Sequence, residues 1–378
     1  MRRIALSGLL VVGCSFSNQT DNPDANTVCP FQFEPKYIDP CTPPPPVPLV
    51  NITIANTASI DTANGVISGG VTAPPSSVVD GVRVVWTRNF TIASGITLRA
   101  YGDLPLLVIA TEKIHILGTV DVSTTAFSKG AGADPAVCAT TTAGGPGEQC
   151  TTFGGSGGGG GGFGFSGSPG GEGGDGNTCT ATDGKPGGKG GLPLSTPPPA
   201  LRGGCRGGDG AISAMAQSMP GVAGAGGGAV GFIAGNSIVV DGTIHAGGGG
   251  GFFGTERAGG GGGGSGGMIF LEAPDVELVA TSLLAANGGG GGGGVDNGTA
   301  MVGETGHPSI TNDAAGGSPD NNGGTGGNGG YVAARTGTPG GLAGRGGGGG
   351  GGGVGYIVVH HINNLLNGGM ASPLITTE

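Results

Sequence analysis

The side chains with the strongest intrinsic chemistry in this chain are its cysteines and histidines. Cys29, Cys41, Cys138, Cys150, Cys179 and Cys205 fall along the sequence as three neighbouring pairs. An even set of thiols in segments poor in apolar residues reads as disulfide staples made in an oxidising compartment. Six thiols permit many connectivities; proximity along the chain favours Cys29–Cys41, Cys138–Cys150 and Cys179–Cys205. No Cys-x-x-Cys occurs and no histidine stands at ligand spacing from a cysteine, so no metal site is expected. His115 and His245 alternate with apolar residues, which predicts outward, solvated positions on strands. His360 and His361 are adjacent, and on a strand they face opposite ways, a poor chelate.

Carboxylate chemistry is the next possibility. A polysaccharide-degrading β-helix clusters acidic and basic side chains on adjacent rungs. The outward positions here carry Lys113, His115, Asp121, Val239, Asp241 and His245. Asp121 aligns with His245 and Asp241 with Leu117, so no acidic pair repeats, and the roughly 6.5–9.5 Å carboxyl pair of an inverting glycosidase is not evident. "GGEGGDGNT" (170–178) resembles one calcium-binding nonapeptide but has Asn177 where a large apolar residue belongs, and no tandem copy. "DGKPGG" lacks the Ser or Thr and the spacing of a phosphate-binding loop. No catalytic residue and no cofactor is predicted, and the chain reads as no enzyme.

The elements that must position these residues are short strands. "LVNITIA", "GVRVVW", "FTIA" and "ITLRAYG" alternate and are β-branched, with Gly, Asn or Pro between them. "PLLVIATEKIHILGTVDV" (105–122) aligns without gaps on "AVGFIAGNSIVVDGTIHA" (229–246), pairing Ile109 with Ile233, Ile114 with Ile238 and Val120 with Ile244. "MIFLEAPDVELVATSLLAAN" (268–287) fits with one extra residue near Ala280, and "VGYIVV" (354–359) reads as a final, truncated copy of "VGFIA" (230–234). No window has a helical period.

Between the copies lie glycine runs, part of a total of 94 glycines in 378 residues: 157–162, 247–251, 259–264, 288–294 and 346–353. Ordering glycine costs roughly 1–2 kcal/mol of backbone entropy per residue with no side chain to bury. The runs hold almost no Ser, Glu or Lys, are flanked by apolar residues, and recur at the strand edges. Those features favour ordered polyglycine II-like packing, with three residues per turn and lateral hydrogen bonds, over linkers. The predicted class is all-β: a parallel β-helix-like or stacked-strand core with glycine-rich hairpin arms.

Arg2 and Arg3 precede a short apolar stretch, Ile4–Gly13, too short to span a bilayer. "VVGC" (11–14) resembles a bacterial lipobox, which implies lipidation at Cys14. Loss of residues 1–13 leaves 13 basic against 25 acidic residues, a net charge of −12 rather than −10, unsuited to nucleic acid. With "GTIHAGGGGG" (242–251) and "GGGGSGGMIFLEA" (261–273), the chain resembles glycine-rich (PGRS-like) exported bacterial lipoproteins. The interrupted glycine runs are also similar to those of phage tail-tip adhesins. The resemblance implies an outer-membrane, surface-exposed lipoprotein held by membrane lipid, with adhesive or structural work toward a cell-surface glycan or protein; the alternative is a polysaccharide-degrading β-helix enzyme. The organisation is then a signal peptide (1–13); a tether, disulfide loop and Pro-rich spacer (14–48); an N-terminal β region (49–125); a Gly/Cys-rich insert (126–228); β repeats with glycine arms (229–362); and a tail (363–378). The inserts at Phe252–Arg257 and Val295–Asn328 are the candidate contact surfaces.

Overall fold

A computed structural model describes residues 31, 33–39, 41, 48–70, 74–126, 128–150, 154–174, 185–214 and 218–378. Cys14, Cys29, Cys179 and most of the Pro-rich spacer lie outside the described residues.

The described chain is nearly all strand and irregular structure, with one short 3-10 helix at Ala136–Thr140. In chain order the strands are β1 (Ile52–Ile54), β2 (Ala58–Asp61), β3 (Val66–Ile67), β4 (Ser76–Val79), β5 (Val82–Ile92), β6 (Thr97–Tyr101), β7 (Leu106–Ile116) and β8 (Thr119–Asp121). They continue with β9 (Ala229–Ala234), β10 (Ser237–Val240), β11 (Thr243–His245), β12 (Met268–Leu278), β13 (Leu283–Ala285), β14 (Tyr356–Asn367), β15 (Met370–Ser372) and β16 (Thr376–Thr377). Two sheets form. One runs β1-β5-β7-β10-β12-β14-β16, with β9 between β7 and β12; the other runs β15-β13-β11-β8-β6-β2-β3. All pairings are parallel except β4 with β5 and β3 with β2.

The chain passes repeatedly between the sheets, at some passes leaving two consecutive strands on one of them, as with β9 and β10. Hydrogen-bonding register stacks like on like. Ile52, Phe90, Ile114, Ile238, Val276 and Leu365 share one level across six strands. These residues meet Val120, Ile244 and Leu284 of the second sheet in a single apolar core. The leading halves of β7, β9, β12 and β14 are buried on both faces. Their outer faces form a second core with Phe31, Phe163 and Leu201. A strand covered twice needs continuous apolar sequence, which is why alternation fades in "LLVIA" and "MIFLEA".

The gapless alignment of 105–122 on 229–246 is the pairing register itself: Ile109 opposes Ile233, Ile114 opposes Ile238 and Val120 opposes Ile244. Two other alignments need correction. Relative to the preceding copy, β12 is one residue shorter between Glu272 and Asp275, and two residues longer between Leu278 and Leu283. The single insertion near Ala280 is only the net of these. Ile357 stands at the level of Ile269 and hence of Val230, not Ile233, a slip of three residues. An odd slip exchanges the two faces of a strand. The glycine-flanked "VG" match was therefore misleading, and β14 followed by β15 is a full copy rather than a truncated one.

The glycine runs are bonded to one another. Gly158 and Gly161 donate to the carbonyls of Gly260 and Gly263 at 2.9 and 2.8 Å. Gly260 and Gly263 donate to Gly347 and Gly350, which donate back to Gly155 and Gly158, all at 2.9 Å. The intervening residues donate elsewhere: Gly157 and Gly160 to Gly171 and Ser168, Gly159 and Gly162 to Gly145 and Thr142. Successive residues of one run thus serve three neighbours, and the pattern returns at every third residue. There is no room for a side chain. A Cβ on Gly158, Gly260 or Gly349 would stand well inside 3.0 Å of a neighbouring carbonyl oxygen, a separation real Cβ atoms do not reach.

The disulfide pattern differs from chain proximity. Cys138 is bonded to Cys205, 67 residues away, and not to Cys150; Cys205 is accordingly not the partner of Cys179. Cys41 and Cys150 are also disulfide-bonded. Folding decides this pairing, because main-chain hydrogen bonds from Asp134 to Gly204 and from Gly144 to Arg206 lay the two segments side by side.

Candidate functional site

Three clusters could carry chemistry. The first is built by register on the second sheet, where Arg99 of β6, Asp121 of β8 and His245 of β11 occupy one level. Arg99 Nη1 donates to Asp121 Oδ2 at 2.6 Å, and Ser123 donates to Oδ1 from both its amide (2.9 Å) and its hydroxyl (2.6 Å). His245 Nδ1 lies 3.5 Å from Asp121 Oδ1, while Nε2 is 2.7 Å from the carbonyl of Gly306. Burial pushes the Asp121 carboxyl up, but hydrogen bonds from His245 and Ser123 outweigh it and hold it well below the usual carboxylate range. His245 is buried, which corrects its expected solvation: it points away from the main core, but the chain around Gly306 covers it. Both ring nitrogens face acceptors, so the column braces three strands and offers no ring nitrogen to a substrate. His115, on β7 of the other sheet, is half-buried.

The second cluster joins His360 to a partner that the sequence analysis did not single out. Glu272 of β12 is fully buried within an apolar run and stands opposite His360 of β14. Its Oε1 is 2.5 Å from His360 Nδ1, and the amide of Lys36 donates to both carboxylate oxygens at 2.9 and 3.1 Å. Burial raises the Glu272 pKa, against the opposing pull of His360 and the Lys36 amide. Tyr37 packs edge-on to Phe270 at 4.3 Å between centroids, and its phenol is raised by burial and by Glu378 and Glu272. Lys36 Nζ pairs with Glu378. Lys36 and the described residues beside it, Phe33, Tyr37 and Ile38, are thus pinned over the outer core by a buried carboxylate. The only available signal was a lone Glu in "MIFLEA", a position that a doubly covered strand reserves for apolar side chains.

The third is the pair of candidate contact surfaces. At Phe252–Arg257, Phe252 and Phe253 are half-buried and Glu256 and Arg257 have φ of 37° and 67°. Across Val295–Asn328 the chain is not a free loop. Gly303 and Gly306 donate to Gly251 and Gly248 at 2.8 Å each, and Asp296 meets Arg345 Nε at 3.3 Å and Asn322 Nδ2 at 3.0 Å. Residues along its whole length are nonetheless exposed, among them Asn297–Thr299, Thr311 and Asn312, and its exposed large apolar side chains are Met301 and Val302, at 60% and 43%. Glu304 accepts from the Ala315 amide and His307, which lower its pKa.

The acids on which a hydrolase would depend have separate partners. Asp121 belongs to the Arg99 column, and Asp241 accepts a hydrogen bond from Thr281. Against protein-family models, curated proteins and solved structures, the chain matches none.

Proposed function

We propose that this protein is a non-catalytic, lipid-anchored scaffold of the bacterial outer-membrane surface, built as a parallel β-helix core with polyglycine II-like arms that hold an adhesive edge away from the membrane. The observation that carries this reading is the three-residue period of lateral hydrogen bonds among the runs at 157–162, 259–264 and 346–353. Bare main chain bonded on three sides is a construction material, and it explains a glycine content that linkers do not require. The "VVGC" stretch ending at Cys14 supports anchoring through acylation, and diacylglycerol with an N-acyl chain holds a protein firmly. Exposed Met301 and Val302 support contact with a cell-surface glycan or protein, since paired apolar side chains on a projecting edge suit an interface.

The test uses cells displaying the full chain. Met301→Glu with Val302→Glu should abolish adhesion while leaving the thermal transition unchanged, and Cys14→Ala should release the protein from the membrane fraction. Unchanged adhesion in the double variant, or release of reducing ends from polysaccharide by purified protein, would overturn the reading. Deleting 295–328 is not an equivalent test, because Gly303 and Gly306 are bonded into the bundle.

A further inference from the structure

In the glycine bundle the donor direction turns with each residue, and a run with neighbours on all sides, such as 259–264, has every amide bonded. Runs at the rim keep one of the three directions for the outside. Gly221, Gly224 and Gly227 donate inward to Gly259, Gly262 and Ser265, while Ala223 and Gly226 donate to the carboxylates of Asp209 and Asp134. The third direction of that run belongs to Val222 and Ala225. In the adjoining run Gly249 and Phe252 donate to Ala225 and Val222, and Gly248 and Gly251 donate to Asn287 and Gly290. Gly250 takes the third direction there. The amides of Ala225 and Gly250 have no acceptor among the described residues, and both residues are only half-buried.

Other rim runs close this direction with proline. Gly170 and Gly171 donate to Gly188 and Gly348, which leaves the third direction to exposed Pro169, a residue with no amide. Exposed Pro146 and Pro339 do the same between Gly145 and Gly147 and between Thr338 and Gly340. Proline at an outward position blocks the addition of a further chain, as it does on an exposed sheet edge. Residues 221–227 and 247–252 contain no proline. Instead Ala225 and Gly250 line one cleft of about 260 Å³, together with Phe252, Thr124, Ser128 and Lys129. A chain lying there would take the next place in the packing, against both rim runs at once. From this we propose that the cleft binds a proline-rich segment of a partner protein in polyproline II conformation, whose carbonyls accept from the Ala225 and Gly250 amides. Three properties select that occupant. A proline chain brings acceptors and no donors of its own to strand. Its three-residue turn matches the spacing of the outward amides of Val222 and Ala225. It is also preformed, so it avoids the ordering entropy that a glycine chain would lose. Met301 and Val302 do not line the cleft, so the site stands apart from the adhesive reading, and its test is read on purified protein.

The experiment is fluorescence anisotropy of a labelled oligoproline peptide titrated with the purified full-length protein. Binding should saturate, and an isomer of alternating D- and L-proline, which cannot form the helix, should not saturate. Ala225→Pro removes the outward amide and places a ring in the cleft, yet proline suits a polyproline II-like run. It should weaken binding roughly tenfold or more while melting like the parent. Saturating oligoproline should also slow amide exchange at Ala225 and Gly250 in the parent, a readout that needs no variant to fold. Failure of oligoproline to saturate, equal binding of the mixed isomer, or unchanged exchange at both amides overturns the proposal. So does undiminished binding by an Ala225→Pro protein that melts like the parent. Tighter binding of oligoglycine would assign the cleft to a glycine run, and self-association abolished by Ala225→Pro would assign it to a second copy; either result overturns the proline-rich partner.

Discussion

The stacked strands and the glycine runs solve one problem in opposite ways. In the strands, Ile114, Ile238 and Val276 stand in register and their side chains fill the space between the sheets. Main-chain bonds set spacing there, and burial of side chains supplies most of the stability. In the runs no side chain intervenes, every face of the chain meets another main chain, and hydrogen bonds must offset the ordering of glycine. A strand core therefore tolerates loss of atoms better than gain, and the interior of a glycine bundle tolerates no gain.

That contrast can be broken first at Gly158. Alanine there would drive a Cβ into the carbonyl of Gly208, with rigid main chain on all sides, so Gly158→Ala should cost more than about 4 kcal/mol in denaturant unfolding. A near-neutral result would mean that the runs do not pack. Ile238→Ala, which leaves a cavity in the fully buried column, should cost about 3 kcal/mol and should not alter amide exchange in the runs. Slow exchange at Gly158, Gly260 and Gly350 in the parent protein, comparable to β12, is the companion measurement; rapid exchange there would erase the distinction between bundle and linker.

The Arg99–Asp121–His245 column sharpens the comparison through pH. The Asp121 carboxyl is depressed in the folded state, so its contribution is present above the ordinary carboxylate pKa and is lost as pH falls through the depressed value. Asp121→Asn should cost about 2 kcal/mol at neutral pH and flatten the acid limb of the stability profile. Equal acid sensitivity in both proteins would assign that limb to other groups. Glu272 has the opposite sign: its raised pKa means that its contribution is complete below the ordinary value and is lost as pH rises through the folded one. The smallest effect belongs to Gly145, where an added Cβ would meet nothing closer than the Lys189 amide at 3.1 Å. Gly145→Ala should cost less than about 1 kcal/mol, and a penalty like that of Gly158 would show that neighbouring chains cannot yield even at the edge of the bundle.

Much of the core was legible because period-two patterning survives wherever only one face is covered. Residues 113–116 and 237–240 alternate, and their alignment proved to be the pairing register. Legibility failed where both faces are covered or where glycine flanks a strand. "VGYIVV" matched "VGFIA" by composition and slipped by three residues, and Glu272 sat unremarked in an apolar run. Of the candidate contacts, Met301 and Val302 project while much of the surrounding segment is tied into the runs.

Residue order by itself determined an all-β chain with stacked repeats, because side-chain alternation and β-branched content act locally and need no knowledge of the partner strand. It also placed glycine wherever main chains approach too closely for a Cβ. Tertiary structure alone decided which thiols meet and which carboxylates are buried. Those outcomes depend on segments 67 or more residues apart being brought within a bond length or a hydrogen bond, as with Cys138 and Cys205 or Lys36 and Glu272. Spacing along a chain does not encode proximity of that kind; the packing of the whole molecule does.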